Sequence, residues 1–254
     1  MQGSGTGQCL VPAHVTLKVI GEIVELTLVV VCLWVALRVY VRHWQPAWSV
    51  PLQRRRQAVV WALVVAVLAT KITEDVIDKE SGPIDTTALT FIRAHMPAAL
   101  TGLFETITLT GSSDVLVPIT TVAALALLAA RRRFEAALLV GSTLGGAGIV
   151  YIVKTLVGRA RPDLWPAQWY WGSSFPSGHT LVVAAFATAT ALILARIWPA
   201  ARQWAVGAAI VWVLLVGLSR LVLGVHWPTD VLAASCIGAT LPLGLSLAFD
   251  HQRR

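Results

Sequence analysis

Charged residues are scarce in this sequence. They make up 13% of the 254 residues, while hydrophobic residues make up 56%. An average soluble domain contains about 25% charged and 45–50% apolar residues. The composition therefore argues against a soluble domain and indicates an integral membrane protein.

Cysteine is also rare, and the three examples are Cys9, Cys32 and Cys236. Their spacing matches no metal-ligand pattern, and Cys32 and Cys236 lie within apolar runs, where small hydrophobic side chains are expected. We therefore expect no disulfide, no bound metal and no other cofactor. The first eight residues lack the basic start and the apolar core of a cleaved signal peptide, which favours retention of the N-terminus.

Acidic residues are fewer than basic ones, and the formal net charge is +7. The basic residues lie in short clusters between apolar runs, which is typical of charges that orient a membrane protein. They do not form the continuous basic face expected of a nucleic-acid-binding protein. We therefore expect membrane lipids, and no nucleic acid, as partners.

Long apolar runs are abundant, and crossing the hydrocarbon core takes roughly 20 such residues in a helix. The pattern predicts seven spans, at about 16–39, 58–72, 115–130, 134–153, 180–197, 204–218 and 231–249. Lys18, Glu22 and Glu25 near the start of the first span could form a polar site inside the membrane. The uninterrupted run at 26–37 favours the alternative, in which they lie at the interface. The segment 84–110 is interrupted by Pro97 and Gly102 and predicts short amphipathic helices on the outer surface.

The distribution of Lys and Arg predicts the orientation of the spans. Basic residues cluster in alternate loops, which we place in the cytoplasm: Arg38, Arg42, Arg54, Arg55, Arg56, Arg131, Arg132, Arg133, Arg196, Arg202, Arg253 and Arg254. The opposite side receives the loops 154–179 and 219–230 and an acidic stretch containing Glu74, Asp75, Asp78, Glu80 and Asp85. The two loops therefore face outward.

Three clusters of reactive side chains fall in these outward loops. The first contains three cations, Lys154, Arg159 and Arg161, followed by Pro162, next to the end of a span. Basic residues at a helix end can simply anchor it among lipid headgroups, although such anchors are expected mainly on the cytoplasmic side.

The second cluster, at 175–179, contains Ser177, Gly178 and His179 directly before an apolar helix. A helix start presents free backbone amides that can hold an anion, and Ser177 adds a hydroxyl. The alternative is that Ser177 is an ordinary N-cap and His179 is solvated.

The third cluster runs from Ser219 to Asp230 between the last two spans. The spacing of His226 and Asp230 can bring the imidazole and the carboxylate together, which would fix the tautomer and activate the histidine. The alternative is a structural contact at a helix start. Lys154, Arg161 and Arg220 with the Gly178 amide match the oxygens of a phosphoryl group, and two histidines can divide attack and protonation.

These clusters resemble the signature of the integral-membrane type 2 phosphatidic acid phosphatase superfamily. The matching positions are Lys154, Arg161 and Pro162; Pro176, Ser177, Gly178 and His179; and Ser219, Arg220, His226 and Asp230. The resemblance covers about 58–249, including Thr110, Gly111 and Ser112. Relatives typically have six core spans. The resemblance therefore implies an all-α polytopic bundle in which residues 58–254 form the phosphatase core. Residues 1–57 would then add an N-terminal helix and a cytoplasmic loop.

The resemblance also implies roles for the site residues. His226 would attack phosphorus to form a phosphohistidine, Asp230 would hold its imidazole, and His179 would protonate the leaving oxygen and then activate water. Lys154, Arg161, Ser177, Gly178 and Arg220 would bind the phosphoryl oxygens without a metal.

Several substrates and activities fit these roles. Candidate substrates are undecaprenyl pyrophosphate, phosphatidylglycerol phosphate, phosphatidic acid and lipid A phosphate, reached from the exterior or periplasmic face of a bacterial cell membrane. A lipid phosphotransferase would use the same residues, and a non-enzymatic transporter or scaffold is a further alternative. The sequence predicts no oligomeric state.

Overall fold

The computed structural model describes residues 13–44, 56–165 and 172–252. Within these ranges the chain forms α-helices joined by turns and short 3-10 segments, and it contains no β-strand. The all-α fold predicted from the sequence is confirmed. Some residues of the sequence-based predictions lie outside the described ranges: Cys9, Arg54, Arg55, Arg253 and Arg254.

The helices follow one another with short connections. They are α1 (Ala13–Trp44), α2 (Arg56–Ile77), α3 (Gly82–His95), α4 (Thr101–Leu109), α5 (Ser113–Ala129), α6 (Arg133–Val157), α7 (Gly178–Ile197), α8 (Arg202–Val222) and α9 (Pro228–Gln252). Two 3-10 turns, Ala98–Leu100 and Pro199–Ala201, precede α4 and α8. The segment between α6 and α7 is the longest of the connections near the predicted site.

Five of the described helical stretches are long and apolar enough to cross a membrane. They are Gly21–Trp44, Arg133–Val157, Gly178–Ile197, Pro199–Val222 and Pro228–Ser246. A sixth crossing is possible if Ala98–Leu109 and Ser113–Ala129, which meet at 40°, act as one span. Helix α2 is not among them, and Lys71, Glu74 and Asp75 occupy its last turns. The protein is therefore a polytopic membrane bundle, and the count of seven spans stays a prediction.

The bent pair modifies the sequence-based interpretation of 84–110. Short helices are present there as expected, namely α3 and α4. However, α4 continues into α5 through the turn at Thr110, Gly111 and Ser112 and packs against α8. The sequence shows the interruption at this turn but not the angle across it, because that angle is set by the packing of α4 on α8.

Helix α7 is the centre of the bundle and packs against α6, α8 and α9. Small residues allow this close approach: a Cβ atom added to Gly238 of α9 would lie 2.4 Å from the Leu181 carbonyl oxygen of α7. Helices in lipid associate through such packing because lipid tails are as apolar as the side chains themselves. Helix α2 packs on α9, and α1 packs on α2. Large apolar side chains such as Leu156 and Leu214 face outward, as expected in lipid.

The bundle brings four helix ends to one side of the molecule. These are the C-terminal ends of α6 and α8 and the N-terminal ends of α7 and α9. The connections containing Arg131 and Arg202 lie at the opposite end, because α6, α7 and α8 run alternately up and down. The three clusters therefore share one end of the bundle.

Candidate active site

Local backbone geometry determines where each cluster begins. Gly158 ends α6 in the left-handed conformation (φ 62°), which glycine adopts at little cost, so the chain turns back one helical turn after Lys154. Gly224 has φ 69° in the turn after α8, and Pro228 opens α9, where a missing N–H costs nothing. These turns fold the loop residues over the ends of the helices.

The structure brings all the predicted site residues to this end of the bundle. Lys154 lies in the last turn of α6, Arg161 in the following loop, and Ser177, Gly178 and His179 at the start of α7. Arg220 lies in the last turn of α8, His226 in the turn, and Asp230 in the first turn of α9. Lys154 and Arg220 are thus within their helices, whereas the sequence placed them after the spans, because both helices continue for about one turn beyond the predicted span ends at 153 and 218.

His226 and Asp230 form a buried pair. The His226 side chain is 3% exposed and the Asp230 side chain is fully buried, and His226 Nδ1 lies 3.5 Å from Asp230 Oδ2. The backbone N–H of Trp227 donates to the same Oδ2 at 2.9 Å, which orients the carboxylate. His226 Nε2 lies on the other side of the ring, 3.5 Å from Arg161 Nη1. A proton on Nδ1, facing the carboxylate, would leave a lone pair on Nε2 directed at the cations.

The environment keeps His226 neutral. Burial lowers the pKa of the His226 imidazole to about 4, and the charges of Arg220 and Arg161 act in the same direction, against the raising effect of Asp230. A neutral imidazole at pH 7 is the form that can attack phosphorus, since protonation would occupy its lone pair.

Three cations surround the pair. Lys154 Nζ donates to the Ser173 carbonyl, and Arg161 Nη1 donates to the Val225 carbonyl at 2.8 Å. Arg220 is 1% exposed and donates to Thr108 Oγ1 of α4 at 2.8 Å. Lys154 is close enough to interact electrostatically with both arginines. Their positive charges make this end of the bundle an anion site.

The start of α7 completes the site. Ser177 occupies the N-cap position, but its hydroxyl lies 2.9 Å from Thr180 Oγ1 and makes no capping bond. The Ser177 N–H donates to the Asp230 carbonyl at 3.2 Å, which ties α7 to α9. His179 interacts electrostatically with His226 and with the three cations, so it belongs to the same site and is not an isolated surface histidine.

The turn at Thr110, Gly111 and Ser112 packs behind His179. A Cβ atom on Gly111 would lie 3.0 Å from Val183 and Val216 side chains and 3.5 Å from the His179 Cβ. The Trp212 indole also donates to Thr110 Oγ1 at 2.9 Å. This region, which the sequence resemblance included without a role, therefore supports the helix that presents His179.

Sequence reasoning missed the function of Arg159. Its guanidinium donates to Asp230 Oδ1 and to Asp85 Oδ2, each at 2.6 Å, and to the Ser81 and Thr229 hydroxyls, each at 2.9 Å. The sequence identifies Arg159 only as one of three cations, and Asp85 only as part of an acidic outer stretch. The spacing of 74 residues between them gives no periodic signal, so no sequence pattern links them.

Metal-ligand clusters do not occur at this end of the bundle or elsewhere in the described ranges. His, Cys, Asp and Glu nowhere form a group of three or more that could hold a metal ion within residues that the structure describes. The charged groups beside His226, apart from Asp230, are cations, which repel a metal ion.

Comparison with known proteins places these motifs in a family. The model of the PAP2 superfamily matches residues 135–254. Phosphatidylglycerophosphatase B of Escherichia coli is 40% identical over 70 residues, which cover 28% of this chain and 26% of that protein. The chain thus spans about a quarter of this curated relative.

Two further similarities extend over more of the chain. The undecaprenyl-diphosphatase of Sulfolobus acidocaldarius is 31% identical over 154 residues, covering 58% of this chain and 70% of that protein. The crystal structure of a transmembrane PAP2 type phosphatidylglycerolphosphate phosphatase from Bacillus subtilis superposes with a TM-score of 0.65 at 25% identity, covering 76% of this chain and 94% of that one. Together with the three motifs at one end of the bundle, these matches show that the chain belongs to the PAP2 superfamily.

Proposed function

We propose that the protein hydrolyses a phosphate monoester or diphosphate of a membrane lipid, with His226 as the nucleophile. The observation that supports this most is the buried His226–Asp230 pair, in which His226 Nε2 lies 3.5 Å from the Arg161 guanidinium. A nucleophile directed into a cation cluster is suited to a substrate that carries negative charge at the reacting atom.

The reaction divides into two steps. His226 Nε2 forms a bond to phosphorus as the bond to the lipid oxygen breaks, and His179 gives its proton to that leaving oxygen. Arrival of the phosphate dianion favours the protonated His179, because it adds negative charge beside the ring. His179 then takes a proton from water, which attacks the phosphohistidine, and inorganic phosphate leaves His226 neutral again.

The phosphoryl oxygens need donors throughout both steps. We assign this role to Lys154, Arg161, Arg220, the Ser177 hydroxyl and the Gly178 amide, since they lie around the same helix ends. Fixed cations and amides stabilise the charge on the equatorial oxygens of the transition state. They supply the function that a metal ion has in other phosphatases, so we expect turnover without one.

The position of the site at the end of a membrane bundle favours substrates whose phosphate lies in the headgroup layer and whose tail stays in lipid. The relatives named above act on phosphatidylglycerol phosphate and undecaprenyl diphosphate by their names, and phosphatidic acid and lipid A phosphate have the same geometry. From the distribution of basic loops we place the site on the exterior or periplasmic face of a bacterial cell membrane.

The test is release of inorganic phosphate by the purified protein in mixed micelles with EDTA present. Each of the four lipids serves as substrate, His226→Ala is the inactive variant, and His95→Ala, at an exposed position on α3, is the matched control. We expect turnover by the wild type and by His95→Ala, and none by His226→Ala. Complete loss in EDTA that magnesium restores would contradict the proposal, and transfer of phosphate to an added lipid acceptor in place of water would indicate a phosphotransferase.

A further inference from the structure

Arg159 lies between two buried carboxylates and contacts both. One guanidinium nitrogen donates to Asp230 Oδ1 and the other to Asp85 Oδ2, each at 2.6 Å. Both carboxylates are 0% exposed, and the arginine side chain is 14% exposed. Because two nitrogens of the planar guanidinium each donate to a different carboxylate, its orientation is fixed more firmly than by a single bond.

Asp85 is tied to α9 by more than this ion pair. Its Oδ1 accepts from the Thr229 N–H at 2.9 Å, and its Oδ2 accepts from the Thr229 hydroxyl at 2.7 Å. Thr229 directly precedes Asp230 in the first turn of α9. Asp85 therefore holds the same turn that carries the partner of His226, although it belongs to α3 and lies outside the stretch 135–254 that the family model matches.

The chain of contacts ends at His226. Asp230 offers Oδ1 to Arg159 and Oδ2 to Trp227 N–H, and Oδ2 also faces His226 Nδ1. The rotation of the carboxylate is thereby fixed by two donors, with Oδ2 held 3.5 Å from His226 Nδ1. Without Arg159, the Trp227 bond would be the one side-chain carboxylate contact holding this orientation among the described residues.

Charge balance gives Asp85 a separate role. Arg159 alone would neutralise Asp230 and weaken its pull on the His226 proton. Asp85 shares the positive charge of Arg159, so Asp230 retains more of its negative charge toward His226. The other charged and titratable groups around the His226–Asp230 pair are Lys154, Arg161, Arg220 and His179, and none of them carries negative charge. Asp230 is the only carboxylate acting on it that the described residues show.

We propose that Arg159 and Asp85 are positioning residues: Arg159 fixes the Asp230 carboxylate against His226, and Asp85 balances the charge of Arg159 so that Asp230 keeps its effect on the imidazole. This inference rests on the proposed function, in which His226 is the nucleophile. Neither residue touches the phosphate; both act through Asp230.

The test compares Asp85→Asn, Arg159→Gln and the double variant with the wild type. Asparagine keeps the shape of Asp85 and an acceptor for Thr229 while it removes the charge. The control is Asp78→Asn, which removes a carboxylate from an exposed position shortly before α3. Turnover of a lipid phosphate gives kcat and KM, and ¹⁵N-histidine NMR of the empty protein gives the His226 titration.

We expect kcat to fall by roughly 10–100-fold in each single variant with KM changed by less than about threefold, since small misplacement of a catalytic group costs rates of this order. The double variant should be no slower than Arg159→Gln, because Asp85 acts through Arg159. The pKa of His226 should fall in Asp85→Asn, which leaves Arg159 unbalanced, and rise in Arg159→Gln, which frees Asp230 for the imidazole. The distant charge deletion Asp78→Asn should leave the His226 titration unchanged, which separates a charge within this chain of contacts from a charge elsewhere on the surface.

Additive losses in the double variant, or an unchanged His226 titration in both single variants, would overturn the inference. If Arg159→Gln does not fold, the isosteric Asp85→Asn variant still tests the inference, through the direction in which the His226 pKa shifts. The NMR measurement needs no substrate, so a wild type that hydrolyses no lipid phosphate would refute the proposed function while opposite shifts would still support the positioning roles.

Discussion

His226 and His179 lie at different helix boundaries, and the proposed mechanism gives them different steps. Replacing His226 with alanine should abolish turnover and any acid-labile phosphoprotein, because the nucleophile is gone. Replacing His179 should slow departure of a poor alkoxide by about 10²–10⁴-fold, the usual contribution of a general acid. A substrate with an activated aryl leaving group should therefore restore the first turnover of His179→Ala and leave His226→Ala inactive.

This comparison is measured as a burst of aryl alcohol, with the phosphoprotein trapped in acid. Later turnovers of His179→Ala should remain slow, since His179 also activates the water. Rescue of His226→Ala in place of His179→Ala would reverse the assignment, and equal losses on every substrate would refute the division of labour.

The protonation of His226 is a second property of a single residue that can be measured. Burial and the neighbouring cations lower the pKa of its imidazole to about 4, against about 6.5 for an unperturbed histidine. Because the folded-state pKa lies below the unfolded one, the neutral ring persists as the pH falls from 7 and takes up its proton only near pH 4. We expect its ¹⁵N signals, identified by their loss in His226→Ala, to titrate there. A midpoint near 6.5 would contradict the buried position of the ring.

The sequence indicates where the motif residues lie along the chain, whereas it does not indicate which residues orient them. Lys154, His179 and His226 stand next to proline, glycine or the end of an apolar run, and such positions can be recognised in a single sequence. Asp85 also follows Gly82 and Pro83, but nothing local distinguishes it from the other acidic residues of the outer stretch, because its partner Arg159 is brought to it by the fold. Long-range ion pairs of this kind depend on helix packing and leave no local trace.

At the scale of helices, the contact between α7 and α9 depends on Gly238. A Cβ atom there would approach the Leu181 carbonyl to 2.4 Å and the Ala184 Cβ to 2.7 Å, so the two helices would have to separate. We expect Gly238→Ala to destabilise the protein by about 1–3 kcal/mol, the usual cost of overpacking. Thermal unfolding in detergent measures this change.

The same helix provides the control for this substitution. Gly244 is exposed, and a Cβ atom added there would meet no atom within 4 Å, so Gly244→Ala should be neutral or raise the melting temperature slightly through helix propensity. Equal melting temperatures for the two variants would show that the close approach is not needed.

The helix boundaries show how well a hydrophobic pattern predicts the ends of helices. The predicted spans at 134–153, 180–197 and 204–218 correspond to α6, α7 and α8, whose ends differ by a few residues. The prediction is weaker for α2, where three charged residues lie within the last turns of one continuous helix. Hydrophobicity marks the part of a helix in lipid, whereas hydrogen bonding continues the helix beyond it.

The orientation of the whole molecule can be tested by labelling. With the native cysteines replaced by serine, Asp163→Cys in the exposed loop of the site and Arg133→Cys at the opposite end of α6 offer a matched pair. We expect a membrane-impermeant maleimide to label Asp163→Cys in intact cells and Arg133→Cys only after permeabilisation. The opposite pattern would refute the outward orientation and the substrate argument with it.

Two long-range contacts limit where the gene of this protein can recombine with the gene of a relative. They join Asp85 to Arg159 and Thr108 to Arg220. Every proposed catalytic group lies after Arg133, so a crossover in the connection between α5 and α6 would transfer all of them to a new chain. It would leave Asp85 and Thr108 behind, which are the partners of Arg159 beside Asp230 and of Arg220 at the site. A recombinant protein that keeps these contacts therefore needs a breakpoint before Ser81. Helices α3 and α4 then belong to the segment that must be exchanged together with the catalytic residues.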